Sequence, residues 1–140
     1  MMNDTKFVEQ AERLCFTRSW TKSDIEALRR SEGGVFIIYE ENGERLGYAL
    51  GNTVLDEAEL YRIAVLPQYR RRGVGIRLLN EFIELCRGRG AVNIFLEVRS
   101  KNIPARSMYE RAGFEAMGIR RNYYGDDDAA VYCLEISGSE

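Results

Sequence analysis

Apolar residues recur along this chain with two periods, and the switches between them mark out its elements. Phe7, Val8, Ala11, Leu14 and Cys15 fall at helical spacing, with Lys6, Glu9, Glu12 and Arg13 between them, which predicts an amphipathic helix over Thr5 to Phe16. A second, shorter helix is predicted after Trp20, where Thr21-x-x-Asp24 and Ser23-x-x-Glu26 both offer a hydroxyl and an acid at capping-box spacing. Gly33-Gly34 ends it. The run Val35 to Glu40 is β-branched and aromatic, Asn42-Gly43 supplies the positive φ angles of a tight hairpin, and Leu46, Tyr48 and Leu50 alternate with small residues on the return. Glu57 to Val65 reads as a third strand, closed by Pro67, which has no amide to give to a ladder.

The period then changes. From Gly73 to Arg87, Leu78, Leu79, Phe82, Ile83, Leu85 and Cys86 form one stripe while Arg77, Glu81, Glu84 and Arg87 form the other, as a long surface helix requires. Ile94, Leu96 and Val98 alternate as a strand. Ala105, Met108, Tyr109 and Ala112 mark a further helix with Pro104 in its first turn and Gly113 at its end. Phe114 to Arg121 and Ala130 to Ile136 read as two last strands around the polar loop Gly125 to Asp128. The order α-α-β-β-β-α-β-α-β-β has helical crossovers only in its second half. An α/β (α+β) domain with a mixed, mostly antiparallel sheet flanked by helices is therefore expected. No repeat, linker or low-complexity tract divides the 140 residues, which fit one domain over 1–140.

Composition narrows the chemistry. With 20 Lys and Arg against 22 Asp and Glu, the net charge of -2 draws the protein neither to nucleic acid nor to an anionic membrane. The opening residues lack a basic stretch followed by an apolar one, and no apolar run is long enough to span a bilayer, so a cytoplasmic protein is expected. Cys15, Cys86 and Cys133 are far apart and lack the spacing of a zinc site or disulfide framework; they read as buried thiols in a reducing compartment. The sequence contains no histidine. Mechanisms that need an imidazole base or ligand are thereby removed, leaving Glu, Asp, Tyr, Lys, Cys and the backbone.

The sharpest local signal is Arg70-Arg71-Arg72-Gly73-Val74-Gly75, between a strand end and the start of the long helix. A helix start carries orphan amide donors and a partial positive charge, glycines let a phosphate approach the backbone, and arginines add charge-assisted donors. This suits a pyrophosphate. No Gly-Lys-Ser/Thr follows, so it is not a P-loop, and the spacing fails the dinucleotide fingerprint at Leu78. On spacing alone a solvated, arginine-rich helix start explains it equally well.

Arg70-x-x-Gly73-x-Gly75 after Ile63-Ala64-Val65 resembles the acetyl-CoA-binding signature of the GNAT acetyltransferase superfamily. Leu96-Glu97-Val98-Arg99-x-x-Asn102, Tyr109-Glu110-x-x-Gly113-Phe114 and Ile119-Arg120-Arg121-Asn122-Tyr123-Tyr124 come after it in order and resemble its RimI family of ribosomal-protein alanine N-acetyltransferases. The likeness spans roughly Glu57 to Ile136. It implies a GNAT fold and acetyl-CoA as cosubstrate, without a metal. It also implies that the backbone of Ile63, Ala64 and Val65 holds the acetyl and pantetheine end, and that Arg70, Arg71, Arg72, Gly73, Val74, Gly75 and Ile76 wrap the pyrophosphate. Asn102 touches the same cofactor in this reading, or serves as a helix N-cap, and the two roles can coexist.

By the same resemblance Glu97 is the general base and Tyr109 the general acid. From the residues alone, a strand-end carboxylate is as readily a solvated charge, and Tyr109 shares a stripe with Ala105, Met108 and Ala112 that core packing would explain. The pair suits the reaction nevertheless. A departing thiolate has a pKa of about 8.5, so a phenol at about 10 is acid enough. An α-amine at about 8 is roughly a tenth neutral at pH 7, whereas lysine at about 10.4 is neutral in only a few molecules per ten thousand, a gap of about 3 kcal/mol favouring an amino terminus.

The implied acceptor is a protein N-terminus, the alanine of the eighteenth small-subunit ribosomal protein, with no direct nucleic-acid or membrane partner. Trp20, Tyr61, Tyr123 and Tyr124 are the aromatic candidates for its groove. Asp126, Asp127 and Asp128 could meet a basic peptide tail or form a solvated turn. GNAT chains usually open with a strand, and here the first helix begins almost at once, so that strand is expected to be missing. Lysine or small-amine acetylation on the same scaffold, and a non-catalytic acyl-CoA-binding module, are the competing readings.

Overall fold

The computed structural model describes residues 3–136. Helices α1 (Asp4–Cys15) and α2 (Lys22–Arg30) precede strands β1 (Gly34–Glu41), β2 (Glu44–Val54) and β3 (Glu57–Val65). A single 3-10 turn at Pro67–Tyr69 leads to α3 (Val74–Gly88), β4 (Asn93–Arg99), α4 (Ile103–Arg111), β5 (Glu115–Arg120) and β6 (Ala129–Glu135). The expected element order is met throughout. Among the described residues no strand precedes α1, whose N-cap Asn3 accepts from the Lys6 amide at 2.8 Å. Of the two start signals for α2, Thr21 is the one used: its hydroxyl accepts from the Asp24 amide at 3.1 Å and Asp24 accepts from the Thr21 amide at 2.9 Å.

The six strands form one sheet in the order β1-β2-β3-β4-β6-β5. The β3–β4 pair is parallel and the rest antiparallel, so the sheet is mixed as the crossovers require. Asn42 and Gly43, at φ 53 and 81, close the first hairpin. Gly33 and Gly34 are fixed by crowding, since an added Cβ would stand 2.0 Å from the Thr53 carbonyl oxygen and 2.1 Å from that of Leu28. Helices cover both faces. α3 and α4 bury Leu78, Leu79, Phe82 and Tyr109 against Leu60, Ile94 and Leu96, whereas α1 and α2 bury Phe7, Val8, Ala11, Ile25 and Leu28 against Tyr48 and Leu50. No described helix is long and apolar enough to cross a membrane.

Two irregularities in β3 break the regular sheet at its centre. Leu50 pairs with Arg62 and Gly51 with Leu60, so Tyr61 is an extra, bulged residue. The bulge reverses the strand's parity: Ala58 and Leu60 point to the α3 face before it, and Ile63 and Val65 do so after it, while Ala64 turns to the α1 face. The parallel pairing of β3 with β4 also stops early. It runs from Glu57 opposite Asn93 to Leu60 opposite Leu96 and no further, so Tyr61–Val65 and Glu97–Arg99 splay apart.

One expectation is corrected. Glu12, placed among the polar positions of the first helix, is fully buried, because positions 8, 12 and 15 share a helical stripe with the apolar ones. The thiols are also not all alike: Cys86 is buried, whereas Cys15 and Cys133 are half-buried.

Candidate active site

The splay leaves a gap between β3 and β4. In an antiparallel ladder alternate residues direct their amide and carbonyl groups to the partner strand, so those of Ile63, Ala64 and Val65 not used by β2 face the gap. An extended chain with amides of its own could pair with such an edge. The end of this segment is fastened by Arg70, whose Nε donates to the Val65 carbonyl at 2.9 Å and whose guanidinium also lies 3.7 Å from Cys15 Sγ. Arg70 is thus turned back onto β3.

Beyond it the chain enters α3 through two left-handed residues, Arg71 at φ 66 and Gly73 at φ 80. Gly73 is the N-cap, no side chain caps the helix, and its first main-chain bond is Arg77 N–H to the Gly73 carbonyl at 3.2 Å. The amides of Val74, Gly75 and Ile76 therefore remain free of intrahelical partners, and together with the turn before them they make a concave, positive anion cradle. Arg71 is exposed beside it. Arg72 pairs with Glu41 at 3.5 Å and lies over the Tyr69 ring, while Arg77 reaches Glu41 at 3.2 Å and Tyr39 at 2.9 Å. Gly75 sits where a Cβ would come within 3.3 Å of Met108 Sδ and 3.8 Å of Val65 Cγ2, so the cradle, the end of β3 and α4 adjoin.

Glu97 and Tyr109 lie on opposite faces of the sheet. Leu96 and Val98 point into the core with Tyr109, so Glu97, between them, points to the other face. It lies one residue past the last β3–β4 pair and is ion-paired with Arg120. Beside it on that face, Glu59 is held above the usual carboxylate range by burial and then by the Glu97 charge, opposed by Arg120. Tyr109 projects from α4 and packs against Phe114 at 5.8 Å and Tyr132 at 6.3 Å between ring centroids. Burial, and secondarily Tyr124, pushes its phenol well above the ordinary tyrosine value. Tyr124 is itself raised by burial and then by Glu97, which places it within electrostatic reach of both members of the pair.

The four aromatic candidates fall into two pairs. Trp20 and Tyr61 stack with centroids 5.7 Å apart, and with Asn52 they line an open cavity of about 470 Å³. Tyr123 and Tyr124 meet edge to face at 5.0 Å, with Arg120 over the first ring and Arg99 over the second. A second cavity, of about 240 Å³, shares Asn52 with the first, and its walls include Glu57, Glu59, Phe95, Glu97 and Val131. The three aspartates are engaged within the chain itself: Asp126 pairs with Arg99, Asp127 accepts from the Lys101 amide at 2.9 Å, and Asp128 accepts from the Asn122 amide at 2.7 Å. The turn reading of that segment is the one its hydrogen bonds favour. Asn102 is the N-cap of α4 and accepts from the Ala105 amide at 3.3 Å.

Glu59 and Arg120 stand beside Glu97 without having been expected there, and Glu12, Tyr48 and Arg62 form a buried cluster behind Trp20 that was not expected either. Only Glu12 carried a usable signal, its place in the apolar stripe of α1.

The family model for the acetyltransferase (GNAT) family matches residues 5–114. The [ribosomal protein bS18]-alanine N-acetyltransferase of Escherichia coli (strain K12) is 44% identical over 101 residues, covering 69% of this chain and 68% of that one. The crystal structure of the ribosomal-protein-S18-alanine N-acetyltransferase from Escherichia coli superposes with a TM-score of 0.90 at 33% identity, covering 100% of this chain and 92% of that one. A GNAT family acetyltransferase from Elizabethkingia anophelis with acetyl-CoA bound shares the fold, with a TM-score of 0.73 at 19% identity, covering 82% of this chain and 83% of that one. Signature, topology and both sets of relatives agree: the chain belongs to the GNAT acetyltransferase family.

Proposed function

We propose that this chain moves the acetyl group of acetyl-CoA to the α-amino group of a protein in the cytoplasm, the acceptor being the N-terminal alanine of ribosomal protein bS18. The acceptor's identity rests on the Escherichia coli enzyme that carries that name, similar to this chain in both sequence and structure. The observation that supports the chemistry is the parting of β3 from β4 just past Leu60 and Leu96, which leaves Glu97 at the opening of a gap whose β3 edge leads on to the uncapped start of α3.

The free amides of Val74, Gly75 and Ile76, with Arg71 and Arg72 beside them, take the pyrophosphate. The exposed edge of Ile63 to Val65 aligns the pantetheine arm, and one of its amides steadies the charge that grows on the carbonyl oxygen. Glu97, directly or through water, accepts the proton that the amine sheds as its nitrogen bonds to the carbonyl carbon. Tyr109 gives its proton to the sulfur as the carbon–sulfur bond breaks, and solvent later returns one. Trp20, Tyr61, Tyr123 and Tyr124 flank the approach of an extended acceptor chain.

A synthetic peptide bearing the bS18 amino terminus and an internal lysine, incubated with acetyl-CoA and the protein, gives the test. Tandem mass spectrometry is expected to place one acetyl group on the α-nitrogen. Acetate found on lysine alone would overturn the α-amino assignment, and no transfer to any amine would overturn the enzyme.

A further inference from the structure

The buried carboxylate of Glu12 takes no part in acetyl transfer, yet three groups converge on it. Its oxygens accept from the Tyr48 hydroxyl at 2.6 Å and from the Trp20 amide at 2.8 Å, and they lie 3.4 Å from Arg62 Nε. A fully buried charge is costly unless it is paired and hydrogen-bonded in this way. The same partners hold the segment between α1 and α2. Arg62 donates to the Arg18 carbonyl and lies 4.0 Å over the Phe16 ring, and the Ser19 hydroxyl donates to the Glu12 carbonyl at 3.1 Å. That segment ends at Trp20, whose ring rests on Tyr61, the bulged residue next to Arg62.

We propose that Glu12 is a positioning residue of the acceptor site: through the Trp20 main chain and Arg62 it sets the Trp20–Tyr61 wall before the acceptor arrives. The inference rests on reading this face as the acceptor side. A carboxylate suits the role better than any neutral isostere, because each of its oxygens accepts from one donor and its charge also faces Arg62 Nε, which is buried without a hydrogen-bond partner of its own. A glutamine there must turn its NH2 towards at least one donor, and the wall loses its fixed place. The consequence falls on acceptor binding, since Glu12 touches neither the α3 cradle nor the gap.

The test is steady-state kinetics on Glu12→Gln with the α-amino peptide varied at saturating acetyl-CoA, and then the reverse. The acceptor KM is expected to rise about tenfold, with kcat within about twofold and the acetyl-CoA KM unchanged, the pattern of lost uniform binding. Trp20 is the chain's single tryptophan, so its emission reports on the wall directly. Emission should shift to the red in Glu12→Gln, and Glu12→Gln should add no further rise in KM on a Trp20→Ala background. Should Glu12→Gln fail to fold, Tyr48→Phe removes one donor without stranding the charge and should raise the acceptor KM about threefold. An unchanged acceptor KM in the folded variant, or equal rises for both substrates, overturns the proposal while wild-type activity stands. A wild-type protein that leaves the α-amine untouched overturns the functional reading instead, and with it this role.

Discussion

Glu97 and Tyr109 differ in what their removal should cost. Glu97 is one-fifth exposed and ion-paired with Arg120, so Glu97→Gln disturbs one surface pair and little of the fold. A general base contributes about a hundredfold to ten-thousandfold, and kcat should fall in that range while acetyl-CoA, whose proposed cradle is at the start of α3, keeps its affinity in a calorimetric titration. Tyr109→Phe keeps the packing on Phe114 and Tyr132, so unfolding free energy should change by no more than about 1 kcal/mol. Its rate should drop about a hundredfold. Because burial raises the phenol, Tyr109 stays protonated to higher pH than an ordinary tyrosine, and its ionisation should not set the alkaline limb of kcat. A pure binding module would show no rate to lose in either variant, and an unchanged rate in both would remove their assigned roles.

The opening of α3 can be separated from the catalytic pair. Gly73 holds φ 80, where a Cβ is strained but would meet nothing within 4 Å. Gly73→Ala should therefore cost about 1–2 kcal/mol by thermal or urea unfolding, and the added methyl, standing at the mouth of the cradle, should weaken acetyl-CoA binding while Glu97 and Tyr109 stay in place. A destabilised protein with full cofactor affinity would move the pyrophosphate elsewhere. This helix start was legible in the sequence because its signals are local: a glycine at a strained φ, an uncapped turn, a stripe of period 3.6. The same holds for the Asn42-Gly43 hairpin and the Thr21 capping box. What the sequence did not disclose depends on contacts between distant segments. The Tyr61 bulge is a register event between β2 and β3, the Arg120–Glu97 and Glu12–Arg62 pairs join residues 23 and 50 positions apart, and no periodicity reports either. Glu59 reached the site only because the parallel register sets it opposite Phe95, two residues before Glu97.

Buried phenols on both faces of the sheet give the molecule as a whole a definite alkaline weakness. Tyr48 on the α1 side is raised far above the ordinary value of 10.0 by burial and then by the Glu12 hydrogen bond, and Tyr109 on the α3 side is raised by burial. Cys86 in the α3 core is pushed from 9.0 up to about 11 by burial. All three shifts have the same sign. Each group keeps its proton in the folded chain at a pH where the unfolded chain has released it, so the unfolded state binds fewer protons and stability falls as pH rises. The loss begins near pH 9 as the unfolded thiol ionises, steepens past 10 as the two phenols join it, and amounts to about 1.4 kcal/mol per pH unit for each group in its window. Competing titrations are few. Arginine keeps its charge, and the sequence holds only three lysines, Lys6, Lys22 and Lys101. Urea unfolding from about pH 8 to 11 is expected to show a plateau and then this descent, with Tyr109→Phe removing about one group's share of the slope above 10. A flat profile to pH 11 would mean that these phenols ionise as readily in the folded chain as in the unfolded one, and that Tyr109 lacks the buried setting that keeps it protonated.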